Sequence, residues 1–366
     1  MNANALDRFR AAVLADPEAA KMLAAHYDPA AFAEAALAWA ATHGIALDDE
    51  DLERRAPPIE TEAWPPTGWL PVSAGNLVEW LNFAGEPLTD PFFEETAQRL
   101  AARPFNRLFR YRISLDALIV GASVGVEPSG LIFHMSRCGS TLAAQMLAAD
   151  PRNLVLSEPP PVDAILLDRD LDDDAKVAAL RALASAYMRE APGARLILKL
   201  DSWHSRALPL LRRAFPATPW IFLYREPIEV IVSHLRQPGL HAVPGLVPAD
   251  FVGLGEPNLP GADYIARVLG QICGAVLEHW HLGGGMPIAY REMPEALVAR
   301  ILPHFGIEPG RKALAAMVDA GRRDAKRGGI FASDSDAKRR AAPPEAEAAA
   351  RLHLAECHAR LVRLGR

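Results

Sequence analysis

The stretch LIFHMSRCGST at residues 131–141 decides the fold of this chain. Its mostly apolar first half, Leu131–Met135, predicts a buried strand, and Ser140–Ala149 predicts a helix directly after a glycine turn. A turn with hydroxyls and a cation before a helix N-terminus offers backbone N–H groups and positive charge to a phosphate. The turn lacks the G-x-x-x-x-G-K-S/T pattern of nucleotide triphosphatases. A serine-rich helix N-cap would explain part of the same sequence. The turn therefore has two interpretations, an anion-binding turn and an ordinary helix cap.

The same alternation of apolar strand and helix continues downstream. Further strands are expected at Asn153–Leu156, Arg195–Leu200, Trp220–Tyr224 and Pro287–Tyr290. The helices expected between and after them are Asp172–Glu190, Trp203–Phe215, Pro227–Arg236, Asp263–His281 and Glu295–Phe305. This order predicts an α/β fold of the P-loop type, with three α/β/α layers around a central parallel sheet. Ligands of such sheets bind beyond the carboxyl ends of the strands.

The chain divides into three parts by pattern. Residues 1–125 form a mainly helical N-terminal accessory region, with helices expected at Leu6–Ala15, Pro17–His26, Pro29–His43 and Asp90–Ala102. Asp28 and Asp90 are the expected caps of the last two helices, because each precedes a proline. Residues 126–342 form the α/β domain, and residues 343–366 form a C-terminal helix.

Composition and charge limit the classes of function. With 366 residues, 50% hydrophobic and 23% charged, the chain is a globular protein and not a fibrous or disordered one. Residues 1–128 carry 10 Lys and Arg against 19 Asp and Glu, whereas residues 311–366 carry 13 against 7. A basic end on an acidic chain predicts a local anion site and no nucleic-acid-binding surface.

The cysteines and the apolar runs indicate the compartment. Three cysteines without CxxC spacing predict neither a disulfide framework nor a cysteine metal site. The N-terminus shows no signal-peptide core, and the longest apolar run is far too short to cross a bilayer. A cytoplasmic protein without membrane contact is therefore expected.

Charged residues stand at the predicted strand ends. Glu158 follows the second strand, either facing the phosphate turn or lying on the surface before a run of prolines. Lys199 ends the third strand and can reach the same anion. Asp201 and Ser202 are interpreted as caps of the next helix, and His204 is either a base or a surface residue.

A second cation stands at the end of the fourth strand. Arg225 ends that strand, and Ser233 lies on the following helix, so together they can hold a second phosphate. Alternatively, Arg225 forms a surface ion pair with Glu226 or Glu229.

Residues 135–142 and 222–233, with Arg225 and Ser233, together resemble the two nucleotide-binding motifs of the sulfotransferases that use 3′-phosphoadenosine-5′-phosphosulfate (PAPS). The resemblance covers roughly residues 128–310 and includes Lys199 and Tyr290. It implies that PAPS is the co-substrate and that Arg225 and Ser233 hold its 3′-phosphate. The residues implied to hold its 5′-phosphosulfate are Arg137, Cys138, Gly139, Ser140 and Thr141.

The resemblance also bears on the catalytic residues. Aryl and steroid sulfotransferases have Lys in the first loop and a His after the third strand, whereas this chain has Arg137, as tyrosylprotein and many bacterial sulfotransferases do. In the tyrosylprotein enzymes a Glu follows the second strand at the interval that separates Glu158 from Arg137. The resemblance therefore favours Glu158 over His204 as general base, with Arg137 and Lys199 stabilising charge. Lys326 and Arg327 loosely resemble the basic loop that closes over the cofactor.

The implied reaction is in-line transfer of a sulfuryl group to a hydroxyl or amine, with a small molecule or peptide as acceptor and no metal ion. The sequence leaves open a P-loop kinase or a catalytically inactive nucleotide-binding protein of the same fold, and it does not specify the oligomeric state. Cys138 has two interpretations as well. It is either a small residue in a serine's place or a thiol whose pKa the helix N-terminus lowers.

Overall fold

The computed structural model describes residues 4–123, 125–255, 259–322 and 335–366. Its centre is a five-stranded sheet in the order β6-β7-β5-β8-β9, with every neighbouring pair parallel. These strands are β5 Gly130–His134, β6 Asn153–Ser157, β7 Arg195–Lys199, β8 Trp220–Tyr224 and β9 Gly285–Ala289. Each strand predicted from the sequence is present, within two residues at either end.

Helices cover both faces of this sheet, and every residue of β5 and β8 is therefore buried. The helices of this part are α8 Ser140–Ala148, α9 Pro160–Leu167, α10 Asp173–Arg189, α11 Leu208–Ala214, α12 Pro227–Arg236, α13 Ala249–Val252, α14 Ala262–Glu278, α15 Leu302–His304 and α16 Arg311–Ala320. Short 3-10 helices lie at Ser202–Ala207, Leu240–Ala242, Trp280–Leu282 and Tyr290–Glu292, and a π-helix lies at Leu297–Ile301. The α/β/α architecture expected from the sequence is confirmed.

The N-terminal region contains a second sheet that the sequence analysis did not predict. Its four strands are β1 Ile59–Glu60, β2 Trp69–Ser73, β3 Leu77–Asn82 and β4 Tyr111–Ser114, in the order β1-β4-β3-β2. The helices around it are α1 Ala5–Ala15, α2 Pro17–Ala24, α3 Pro29–Thr42, α4 Asp49–Glu53, α5 Phe93–Ala101, α6 Pro104–Leu108 and α7 Leu115–Val120. Helices still predominate in the region, as expected.

One of the two expected helix caps is absent. Asp28 caps α3 through the N–H of Ala31, as expected, but α5 begins at Phe93 and Asp90 does not cap it. Asp90 instead accepts hydrogen bonds from Thr96 and Arg99, which compete with the role of a cap.

The C-terminal part consists of more than the single helix expected. After α17 Ser335–Arg340, the chain forms α18 Pro344–His353 and α19 Ala355–Leu364. The break is at Leu354, which is buried and has a non-helical backbone. Both helices pack on α14, and α19 also lies against β9. Among the described residues, no helix has both the length and the hydropathy to cross a membrane.

Candidate active site

The turn after β5 has an unusual backbone. Ser136, Arg137 and Gly139 have φ angles of 75°, 50° and 86°, all in the left-handed region. Such a conformation in two residues with a Cβ stores of order 1–3 kcal/mol of strain each, which points to a functional turn. Gly139 is the N-cap of α8 and has no side chain to occupy the first N–H groups of that helix. An anion beside the turn would therefore meet backbone N–H donors at the positive end of the helix dipole.

Strand β8 ends directly before Arg225 and brings it to the turn that follows β5. Its guanidinium is buried, and Nη1 lies 3.5 Å from the carbonyl oxygen of Arg137 in the turn. Its Cζ lies 4.0 Å from the ring centroid of Tyr290, and its Nε donates to Oε2 of Glu229 at 2.6 Å. The pair with Glu229 that the sequence left open is therefore present, but it is buried and fixes the guanidinium beside the turn.

One cavity of about 630 Å³ joins these two cationic elements. Its volume lies in the range of small-molecule sites. It lies where the strand connections diverge from β5 and β8, which is the expected ligand crevice of an open parallel sheet. Its lining includes the predicted residues Arg137, Cys138, Gly139, Ser140, Thr141, Glu158, Arg225 and Ser233.

Other residues of the lining were not singled out from the sequence as ligand-binding residues. They include Phe92, His134, Asp201, Trp203, Arg236, His241, Tyr290 and Lys338. Arg236 lies one helical turn after Ser233, and Asp201 lies two residues after Lys199, so helix and strand-end positions could have indicated both. Phe92 and Lys338 come from the N-terminal and C-terminal parts, and no local pattern connects either to this cavity.

Glu158 lies at the end of the cavity where β6 and β7 stop. Its carboxylate forms a salt bridge with Lys199 and lies 3.5 Å from Nε2 of His134. Burial alone would raise the pKa of Glu158, but the charge of Lys199 and the His134 hydrogen bond outweigh burial and hold that pKa well below its usual range. Glu158 is therefore an ionised carboxylate that is held in place.

Lys199 and His204 both lie behind the cavity and do not line it. Lys199 is fully buried beneath Glu158, with Nζ 5.1 Å from the ring centroid of Phe92. His204 is buried too, so it is not the surface residue that the sequence allowed. Its Nε2 bonds Oδ1 of Asp163 at 2.7 Å, and its Nδ1 accepts from the N–H of Asp201 at 3.2 Å. Both ring nitrogens are thus used inside the protein.

Cys138 is a small buried residue in a serine's place, which is the first of its two interpretations. Its thiol donates to the carbonyl oxygen of Leu223 at 3.1 Å, and burial raises its pKa to about 12. The hypothesis of a lowered thiol pKa is therefore wrong, because desolvation outweighs the helix N-terminus.

The C-terminal part adds positive charge to the cavity. Lys338 is buried in the lining, and Nε of Arg339 donates to Oε1 of Glu229 at 2.7 Å. The predicted basic residues Lys326 and Arg327 lie outside the described residues.

One group of side chains in the described part, Asp163, Asp201 and His204, has its oxygen and nitrogen atoms within 4.8 Å of one another. Internal hydrogen bonds account for this spacing, since Oδ1 of Asp163 bonds both His204 and Nε1 of Trp203, the latter at 2.7 Å. The expectation of a metal-independent reaction stays a prediction.

Comparison with known proteins finds low-identity likenesses among solved structures. No protein-family model and no curated protein matches the chain. Among solved structures, a sulfotransferase from Mycobacterium avium is 16% identical, with a TM-score of 0.39 over 55% of this chain and 69% of that one. A sulfotransferase domain of the curacin biosynthetic pathway is 16% identical, with a TM-score of 0.38 over 62% and 96%. A sulfotransferase from Mycobacterium tuberculosis is 17% identical, with a TM-score of 0.37 over 64% and 83%.

Proposed function

We propose that this protein transfers a sulfuryl group from PAPS to a hydroxyl or amine of an acceptor. The observation that carries the proposal is that two separate groups of positive charges and hydrogen-bond donors line one cavity. These are the turn 136–141 with the N-terminus of α8, and Arg225 with Ser233. PAPS carries an anionic group at each end of its ribose, and each element suits one of them.

The two elements have different donors, which suggests which end each binds. The turn offers backbone N–H groups, Arg137 and the hydroxyls of Ser140 and Thr141, and these donors suit the phosphosulfate. Arg225 lines the same cavity as Ser233, and Glu229 fixes its Nε, so this held guanidinium suits the 3′-phosphate beside Ser233. Lys338 adds a further positive charge to the lining.

The reaction needs charge stabilisation at one bond and a proton acceptor at another. As the sulfuryl group leaves, negative charge grows on the oxygen that bridged it to the phosphate. Arg137 and the N–H groups of α8 stabilise that charge. A carboxylate at the β6 and β7 end takes the acceptor's proton, and the family resemblance favours Glu158 for this role. Lys199 acts through Glu158, because it does not line the cavity.

A thermal-shift measurement with two nucleotides tests the proposal. Adenosine 3′,5′-bisphosphate (PAP), the reaction product, should raise the melting temperature by roughly 5 °C at 100 times its Kd, which corresponds to ~2.7 kcal/mol. ATP at the same concentration should give a smaller rise, because it carries no 3′-phosphate for Arg225. A larger rise with ATP would favour the kinase interpretation. Binding of PAP without release of PAP from PAPS in the presence of any hydroxyl acceptor would indicate an inactive nucleotide-binding protein.

A further inference from the structure

A buried carboxylate on α12 joins Arg225 to the C-terminal part of the chain. Glu229 is only 1% exposed, and its two oxygens accept from different guanidinium groups. Nε of Arg225 donates to Oε2 at 2.6 Å, and Nε of Arg339 donates to Oε1 at 2.7 Å. Arg339 lies on α17, 110 residues after Glu229. One carboxylate thus connects the residue proposed for the 3′-phosphate with a helix near the end of the chain.

We infer that Arg339, through Glu229, positions Arg225 for the 3′-phosphate of PAPS, so that α17 is part of the nucleotide site. The inference rests on the proposed function, which gives that phosphate to Arg225. It adds a positioning residue that no local pattern in the sequence indicates, because Arg339 is far from Arg225 along the chain. Arg339 is also not among the described residues that line the cavity.

Helix α17 lies beside the elements proposed to hold the 3′-phosphate. It packs on α12, which carries Glu229 and Ser233. Lys338, the residue before Arg339, is buried in the lining of the cavity, to which Arg225 also belongs. A second, smaller cavity of about 70 Å³ has Arg225, Glu229 and Arg339 in its lining. The contact between α17 and Glu229 is therefore made next to the proposed phosphate site and not at a remote part of the surface.

Electrostatics explains why Glu229 needs a cation at each oxygen. A carboxylate that is removed from water is stable only when cations and hydrogen bonds replace its hydration. A guanidinium and a carboxylate pair most favourably side by side, with two N–H groups on two oxygens. Here Oε1 accepts from Arg339, so Arg225 shares the carboxylate with a second cation.

Loss of Arg339 would change the position that suits Arg225 best. Without the second cation, both oxygens of Glu229 would turn to the Arg225 guanidinium and draw it towards α12. Its present position, with Cζ 4.0 Å from the ring centroid of Tyr290, would then be less populated. A 3′-phosphate would have to compete with Glu229 for the same fork of N–H groups. Arg339 therefore raises the affinity for a nucleotide without lining the cavity.

Calorimetric titration of the full chain tests this coupling. Arg339→Gln should weaken PAP binding about 2- to 30-fold, the size of effect expected of a residue that contacts no ligand. The Kd of adenosine 5′-monophosphate should change less than about twofold, because that nucleotide lacks the 3′-phosphate, whereas partial unfolding would weaken both nucleotides alike. Arg340→Gln is the matched control, because it removes the same charge from an exposed residue of the same helix. It should leave both constants unchanged.

Two further variants show whether Arg339 acts through Glu229. In a Glu229→Gln background, Arg339→Gln should change the Kd of PAP less than about twofold, because the carboxylate that connects the two guanidinium groups is gone. Arg339→Lys should bind PAP more tightly than Arg339→Gln, because a lysine ammonium still provides Glu229 with a cation. The Arg339 side chain is 53% exposed, so its single variants should fold and carry the test without the Glu229 background.

The outcomes that overturn the inference differ from those that overturn the proposed function. Unchanged PAP binding in Arg339→Gln, or equal weakening of PAP and adenosine 5′-monophosphate, would remove Arg339 from the nucleotide site. Equal losses with and without the Glu229 carboxylate, or equal PAP binding by Arg339→Lys and Arg339→Gln, would show that Arg339 does not act through Glu229. A wild-type protein that binds PAP no more tightly than adenosine 5′-monophosphate refutes the proposed function itself.

Discussion

Replacing Arg225 by Gln tests the assignment of the 3′-phosphate directly. The guanidinium has its Nε on Glu229 and its Cζ over Tyr290, so it is held at the cavity wall before any ligand binds. A hydrogen bond between such a fixed charge and a phosphate is worth about 1.5–3 kcal/mol. Arg225→Gln should therefore weaken PAP binding about 10- to 150-fold, since 1.4 kcal/mol corresponds to a factor of ten.

Adenosine 5′-monophosphate separates this loss from a general disturbance of the site. It lacks the 3′-phosphate, so its Kd should change less than about twofold in the variant. Isothermal titration calorimetry measures both constants for both proteins. Because Glu229 is only 1% exposed, removal of its partner also destabilises the fold, although Arg339 still bonds its other oxygen. The titrations are therefore run far below the melting temperature.

Arg213→Gln is the matched control for the charge change. Arg213 pairs with Asp173 and Asp174 at the surface and does not line the cavity. Its replacement should leave both nucleotide constants unchanged. Equal weakening of PAP and adenosine 5′-monophosphate in Arg225→Gln, or no change in PAP binding, would refute the assignment.

Further predictions concern the turn, the helix hydroxyl and the metal. Gly139→Ala should destabilise the fold by about 1–2 kcal/mol and weaken PAP binding, because φ is 86° and the new Cβ would lie 3.0 Å from Tyr290; chemical denaturation and calorimetry measure the two effects. Ser233→Ala should weaken PAP about 2- to 12-fold by calorimetry, the loss of one hydrogen bond of about 0.5–1.5 kcal/mol, and a larger loss for adenosine 5′-monophosphate would contradict it. Native Cys138 should resist iodoacetamide in a mass-spectrometric assay and react after unfolding, because its pKa is about 12. EDTA should leave PAP release unchanged; loss of activity restored by Mg²⁺ would contradict metal independence.

Local sequence predicted the α/β domain because its strands bury both faces. Strands such as β8, Trp220–Tyr224, are continuous apolar runs that stand out against amphipathic helices, and their ends mark the ligand crevice. The N-terminal sheet gave no such signal. β2 contains Pro71 and a register shift beside it, and β1 has two residues, so the pairing of these strands depends on packing against distant helices.

The same limit applies inside the candidate site. The sequence placed Glu158, Arg137 and Arg225 at strand ends or turns, where the topology makes them neighbours. It interpreted Asp201 as a cap, which is confirmed because Asp201 is the N-cap of the 3-10 helix Ser202–Ala207. It left His204 open between base and surface residue. The chemistry of both depends on partners far along the chain, such as Asp163 for His204 and Glu158 for Asp201.

The order of apolar runs, turns and charged strand ends was enough to determine the architecture and the edge of the sheet that carries the site. Solvent exclusion and the distances between charges exist only in the folded chain. They pair Lys199 with Glu158 in a salt bridge. They also raise the pKa of the Cys138 thiol and the pKa of the Asp201 carboxyl group. A side chain's identity is local, whereas its proton affinity is set by every charge and every buried surface around it.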